Sequence, residues 1–185
     1  MTKILIPPSE GKNDGGTGRL GTLQPETYEL LDAIFDYKGD LEKLYGVKAK
    51  RARAAHEMNQ SLGPTMPAIK RYSGVVYKGI DYPSLNSAEK NRFIEHVRIC
   101  SALFGLITPS HPIPNYKLSI DKLNAATIWK EKNSEMLKGH EVIDLLPQAH
   151  SKAISYTDGM IVEFIVTKNG RTMPAGHSAK LIKGK

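Results

Sequence analysis

The chain has 185 residues, 40% of them hydrophobic and 24% charged, which are the proportions of a globular protein and exclude a disordered chain, a collagen or a coiled coil. Its 26 lysines and arginines exceed its 19 aspartates and glutamates for a net charge of +7, which points to a polyanionic partner, nucleic acid or a phosphorylated metabolite. The one cysteine, Cys100, excludes an internal disulfide and fits a reducing, cytoplasmic setting.

The predicted elements begin with a short buried strand, Ile4-Leu5-Ile6, stopped by Pro7-Pro8, which also interrupts any signal-peptide core. A glycine-rich polar loop follows over 9–21, where many α/β proteins place a ligand, though its spacing is neither a P-loop nor GxGxxG. Pro25 opens a helix whose Leu30, Leu31, Ile34 and Phe35 recur at helical spacing, and Gly39 ends it. Residues 40–60 read as two short helices around Gly46-Val47, and 68–82 as a helical turn followed by an irregular segment over 71–79. The next helix starts at Asn86-Ser-Ala-Glu with Ser87 as its expected cap. The run 99–107 reads as a buried strand or helix end, about half the ~20 residues a membrane helix needs, so no membrane segment is expected. A proline-punctuated loop over 108–117 precedes a helix at 127–139. Strands are expected at 142–146 and 160–166, the latter followed by an Asn169-Gly170 turn. Strands mixed with helices predict an α/β (mixed α+β) fold in one domain over 1–185, with a mixed sheet and flanking helices.

Charge is concentrated in two places. Residues 41–56 carry Lys43, Lys48, Lys50, Arg51 and Arg53 against Glu42, and 164–185 carry five basic residues and no acid. The first stretch, Leu41-Glu-Lys-Leu-Tyr-Gly46-Val47-Lys-Ala-Lys-Arg-Ala-Arg-Ala-Ala55, has the pattern of a helix-hairpin-helix. Gly46 permits the tight turn, the next helix's free N–H groups face a phosphate, and Lys48, Lys50, Arg51 and Arg53 surround it. The alternative is an ordinary helical hairpin with a solvated basic face.

Other polar groups could carry chemistry. Pro7-Pro8-Ser9-Glu10-Gly11-Lys12 sets a hydroxyl, a carboxylate and an ammonium just past a strand, suited to holding phosphate or to acid–base work. Arg71, Tyr72 and Tyr77 mix a cation with aromatics that could stack on a base, and the alternative is tyrosines packed into the core of an irregular turn. Asp144 inside a strand requires a partner, and 177–180 could supply one. His111 lies on a constrained loop, Trp129 and Cys100 read as core, and six histidines without HxH or HExxH spacing leave no metal or cofactor expected.

Several of these segments together resemble the YaaA family of peroxide-stress proteins. They are Leu5-Ile-Pro-Pro-Ser-Glu-Gly-Lys12, Ala68-Ile-Lys-Arg-Tyr-Ser-Gly-Val-Val-Tyr-Lys-Gly79, Arg98-Ile-Cys-Ser-Ala-Leu-Phe-Gly-Leu-Ile-Thr-Pro109 with Tyr116-Lys117, Val142-Ile-Asp-Leu-Leu146, and Ala179-Lys180 with Lys183-Gly184. They occur in order over nearly the whole chain. The resemblance implies a mixed α/β fold with a helix-hairpin-helix and a basic cleft, binding to double- and single-stranded DNA, and protection against oxidative damage. It further implies that 40–56 contacts DNA and that Lys12, Arg71, Tyr77, Lys117 and Lys180 line the cleft. Two features depart from the family: familiar members continue well past this C-terminus, and Lys183 stands where arginine is frequent.

Two main functions are open at this point, beside a third, a small-molecule binder that uses the same cleft without chemistry. One is a DNA-binding protein without turnover, using Gly46, Lys48, Lys50, Arg51 and Arg53. The other is an enzyme acting on a nucleotide, a nucleobase or a damaged base. There Glu10 or Asp144 would be the acid–base group, Lys12, Arg71 and Lys180 would hold phosphate, and Ser9, Tyr72, Tyr77 and Lys117 would complete the pocket.

Overall fold

In the computed structural model, five strands form one mixed sheet in the order β4-β3-β1-β6-β7. The description covers residues 1–163, 165–168, 171–173 and 184. Strand β1 (Thr2–Ile6) is central and runs parallel to β3 (Val97–Ser101) on one side and β6 (Glu141–Asp144) on the other. Strand β7 (Gly159–Ile161) continues the sheet in parallel beyond β6, and β4 (Gly105–Ile107) turns back antiparallel at the opposite edge. The α/β class expected from the sequence is therefore the observed one.

Helices cover both faces. Ile4 and Val97 are register partners and face the same side, where Phe93 of α6 (Ser87–His96) packs near them. Cys100, three residues on, projects to the other side together with its partner Leu106, and α7 (Ala125–Leu137) lies against β4. Asn133, fully buried, fixes this packing by accepting from the Leu106 N–H at 2.8 Å and donating to the Ala153 carbonyl at 3.0 Å. Gly105 is required at the turn into β4. Its φ is +68°, and a Cβ there would lie 2.5 Å from the Trp129 ring.

Helix α1 (Pro25–Phe35) begins at its proline as expected and buries Leu30 and Ile34. Two further helices, α2 (Leu41–Tyr45) and α3 (Ala49–Gln60), are joined by Gly46-Val47-Lys48. They share a small cluster of their own, Leu44, Tyr45, Ala52 and Ala55, in which alanines let the two helices approach closely. A short pair, β2 (Met66–Pro67) with β5 (Pro112–Ile113), leads into α4 (Ala68–Arg71).

Several sequence readings need correction. The segment over 71–79 is not irregular, because Val75–Ile80 forms a helix, α5. The cap of α6 is Asn86 rather than Ser87, and Glu89 closes a capping box with it. The run 99–107 is two antiparallel strands joined by a turn at 102–104, not one element. The strand expected at 160–166 divides into β7 and β8 (Val166–Lys168), which pairs with β9 (Arg171–Met173); the Asn169-Gly170 turn lies outside the described residues. Among the described residues no helix is long and apolar enough to cross a membrane.

Candidate functional site

Strand β1 has the next strand of its sheet in sequence, β3, on one side, while β6 adjoins it on the other. In open α/β sheets such a reversal leaves a crevice at the carboxyl ends of the strands, and ligands bind there. Beyond the end of β1, Pro7-Pro8 stops the ladder and the loop over 9–18 folds back onto 64–73. Lys12 bridges to Tyr72 and Gly18 to Thr65, while Ser73 N–H donates to the Gly11 carbonyl at 3.0 Å.

Arg71 holds this loop from below. Nη1 donates to the Asn13 carbonyl at 2.5 Å, Nη2 to the Gly15 and Pro64 carbonyls at 2.9 and 2.8 Å, and Nε to that of Ile113 at 3.4 Å. With 1% of its surface exposed and these donors engaged, Arg71 is a clamp for the backbone and not the phosphate ligand read from the sequence. The same correction applies to the two tyrosines. Tyr72 and Tyr77 are 2% and 7% exposed, their rings lie 5.1 Å apart, and Tyr77 Oη donates to the Pro7 carbonyl at 2.9 Å. Neither presents a ring face for a base.

Lys12 and Lys117 face outward from this frame. The half-buried Lys12 Nζ donates to the Ser9 carbonyl at 3.0 Å and lies over the Tyr116 and Tyr72 rings, 4.4 and 5.4 Å from their centroids. Beneath it the Tyr72 and Tyr116 hydroxyls are 2.8 Å apart, and the Ser101 hydroxyl lies 2.8 Å from that of Tyr116. Burial pushes the Tyr116 hydroxyl up to about 12, so it stays protonated. Burial, and then the nearby Lys117 charge, pull Lys12 down to about 7, although Glu10 opposes the shift. Lys117 pairs with Glu10 at 3.6 Å, with side chains 24% and 92% exposed, and its backbone is held by Asn59 of α3. Ser9 contributes its carbonyl to Lys12, and its hydroxyl lies close under Gly74.

Asp144 ends β6 beside Leu5 of β1. Its Oδ1 accepts from the Leu146 N–H at 2.8 Å and its Oδ2 from the Tyr156 hydroxyl at 3.3 Å. Leu146 and Tyr156 are thus its partners among the described residues; the partner segment expected from the sequence, 177–180 with Lys180, lies outside them. His111 belongs elsewhere. It lines a cavity of about 220 Å³ with Leu23, Phe104, Leu106, Trp129 and Lys132, and burial lowers its pKa. None of the Lys12 group lines that cavity, whose walls are mainly apolar. The charged cluster is the better candidate because chemistry needs its polar groups.

The α2–α3 hairpin has the expected turn. Gly46 caps α2 with φ +64°, and Lys50, Arg51 and Arg53 are exposed on α3. Its helix start differs from the expectation. The Ala49 N–H donates to Glu42 Oε1 at 2.8 Å, and Lys48 Nζ pairs with Glu42 Oε2 at 3.4 Å. The first free N–H of α3 is thus occupied by the chain's own carboxylate, and Lys48 is engaged with it.

Four residues received no role at these places from the sequence: Tyr116 and Ser101, which stand only as members of the family segments, and Asn59 and Glu42. Asn59 left a readable sign, since it continues the buried stripe Ala52, Ala55 as a lone polar side chain. Glu42 was visible only as the one acid in a basic stretch. Ser101 and Tyr116 gave no local sign, because their contact depends on how β3 and a distant loop are placed.

Comparison with known proteins adds family context. A chain from Corynebacterium glutamicum (strain R), described as a UPF0246 protein, is 38% identical over 127 residues, covering 63% of this chain and 50% of that one. A UPF0246 protein of Streptococcus pneumoniae (strain CGSP14) is 33% identical over 153 residues, 76% of this chain and 63% of that one. The chain thus spans about half to under two-thirds of the length of these curated relatives. The family model described as peroxide stress protein YaaA matches residues 2–185, and the chain belongs to that family.

Proposed function

We propose that the protein binds DNA through backbone phosphates without sequence preference, and that this contact serves the protection of DNA under peroxide stress in the cytoplasm. The observation that carries the reading is the outer face of α3. Lys50 and Arg53, three residues apart, share that face and Arg51 flanks them; among the described residues none has an ion-pair partner. Cations so placed meet phosphates of either single or double strands, since they read charge and not base edges. The α2–α3 hairpin, with Gly46 at its turn, acts as the helix-hairpin-helix-like unit, but its phosphate lies along the α3 face because Glu42 fills the helix start. Fluorescence anisotropy with labelled duplex and single-stranded oligonucleotides tests this. Lys50→Glu with Arg51→Glu should abolish binding at low salt, and unchanged affinity would overturn the reading.

A second reading is favoured by Lys12, Lys117 and Glu10 gathered at the carboxyl end of β1. In it the same basic group works on a nucleotide, a nucleobase or a damaged base, with Lys12 and Glu10 touching the substrate. A Glu10→Gln variant that keeps full turnover on a substrate found by screening would remove Glu10 from that role.

A further inference from the structure

Lys12 is unusual in its surroundings among the described lysines. Its amine has one backbone acceptor, the Ser9 carbonyl at 3.0 Å, and two phenol rings beneath it. The carboxylate whose charge acts on it, Glu10, is engaged by Lys117 at 3.6 Å and is itself 92% exposed. A second cation therefore lies beside Lys12 while the neighbouring anion leans away to the surface. Burial and the adjacent positive group raise the uncharged fraction of this amine, although the phenol ring faces favour its charged form. An uncharged amine is a poor phosphate clamp and a good nucleophile. The sequence reading of Lys12 as a phosphate holder thus gives way to a different use.

We propose that Lys12 is an amine nucleophile that captures the aldehyde carbon of a phosphate-bearing sugar, with Lys117 as the cation for its phosphate. The lone pair of Lys12 Nζ forms a bond to the carbonyl carbon, the two amine protons pass to the carbonyl oxygen, that oxygen leaves as water, and a C=N bond remains. The reaction needs no oxidant or reductant. Lys117 can exchange Glu10 for a ligand phosphate, because the Glu10 side chain is 92% exposed and is free to turn into solvent. The buried Tyr72–Tyr116–Ser101 chain keeps the floor of the site rigid and dry, which favours loss of water from the adduct. Two sources share this chemistry: the ring-opened sugar of an abasic site in DNA, and a free phosphorylated aldose. The proposal rests on the second reading above and not on the α3 contact.

The test is reductive trapping. The full chain is incubated near neutral pH with cyanoborohydride and either a duplex carrying one abasic site or glyceraldehyde 3-phosphate, and adducts are mapped by peptide mass spectrometry. Lys12 should carry at least ~10-fold more adduct than any exposed lysine, since a lowered pKa raises its neutral fraction far more than it reduces its nucleophilicity. Both Lys12→Arg and Lys12→Met should lose that adduct with circular dichroism unchanged. Trapping with the duplex alone assigns the site to damaged DNA, trapping with the free aldehyde alone assigns it to a metabolite, and either supports the proposal. Adduct spread over the lysines according to their exposure overturns it, whatever the variants do. Affinity for an intact duplex, measured in parallel, reports separately on α3.

Discussion

The side-chain amide of Asn59 holds both backbone groups of Lys117: Oδ1 accepts its N–H at 2.9 Å, and Nδ2 donates to its carbonyl at 2.7 Å. Asn59 is 2% exposed and sits on the inner face of α3, opposite Lys50 and Arg53. One helix therefore presents the basic face outward and fixes the Lys117 loop inward. Replacing Asn59 with alanine leaves two backbone groups of Lys117 without these partners, which should cost about 2–4 kcal/mol in urea unfolding. Loss of less than half a kcal/mol would mean the loop is held by other contacts.

Lys12 makes stability depend on pH in a defined direction. Its pKa falls from 10.5 in the unfolded chain to about 7 in the fold, so between these values the unfolded chain binds more protons. Its penalty is present in full below about pH 7 and disappears as pH rises towards 10.5. A Lys12→Met variant should therefore be more stable than the parent at pH 7 and below, and the difference should shrink towards pH 10. Parallel urea midpoints of the two proteins across that range measure it; a constant gap would contradict the assignment.

The Cys100 thiol is shielded from peroxide. Cys100 is fully buried in β3, and burial, with the Asp144 charge, pushes it up to about 12. At pH 7 only about one molecule in 100,000 then carries the thiolate, the form that reacts with peroxide or iodoacetamide. Native protein should resist iodoacetamide under conditions that label urea-unfolded protein fully. Rapid native labelling would place the thiol nearer the surface than it is here.

Much of the fold was legible because local chemistry decides it. Pro25 starts α1, Gly46 turns the α2–α3 hairpin, and the apolar run at Ile4-Leu5-Ile6 forms the central strand. The errors arose where distant residues decide. Arg71 looked like a ligand for phosphate because its charge is visible in the sequence, whereas the four carbonyls that surround it come from three separate segments. Tyr72 and Tyr77 likewise gave an aromatic–basic pattern that packing turns inward. The run at 99–107 hid a chain reversal, because Ala102-Leu103-Phe104 is as apolar as the strands it joins and Gly105 alone marks the bend.

Glu42 sets a limit on the proposed DNA contact. Its carboxylate occupies the Ala49 N–H and pairs with Lys48 at the start of α3. Glu42→Gln should release Lys48 and remove a negative charge beside the basic face, tightening duplex binding about 2–5-fold at low salt. The same change should lower helix stability slightly. Weaker binding by this variant would mean that the hairpin's shape, and not its charge, governs the contact.

The central claim is that the outer face of α3 meets phosphates, and the salt dependence of duplex affinity tests it most directly. With three or four cations engaged, log K should fall linearly against log salt with a slope of about −3, and each of Lys50→Ala, Arg51→Ala and Arg53→Ala should reduce that slope by about one. A slope near zero, or one that these substitutions leave unchanged, would contradict it.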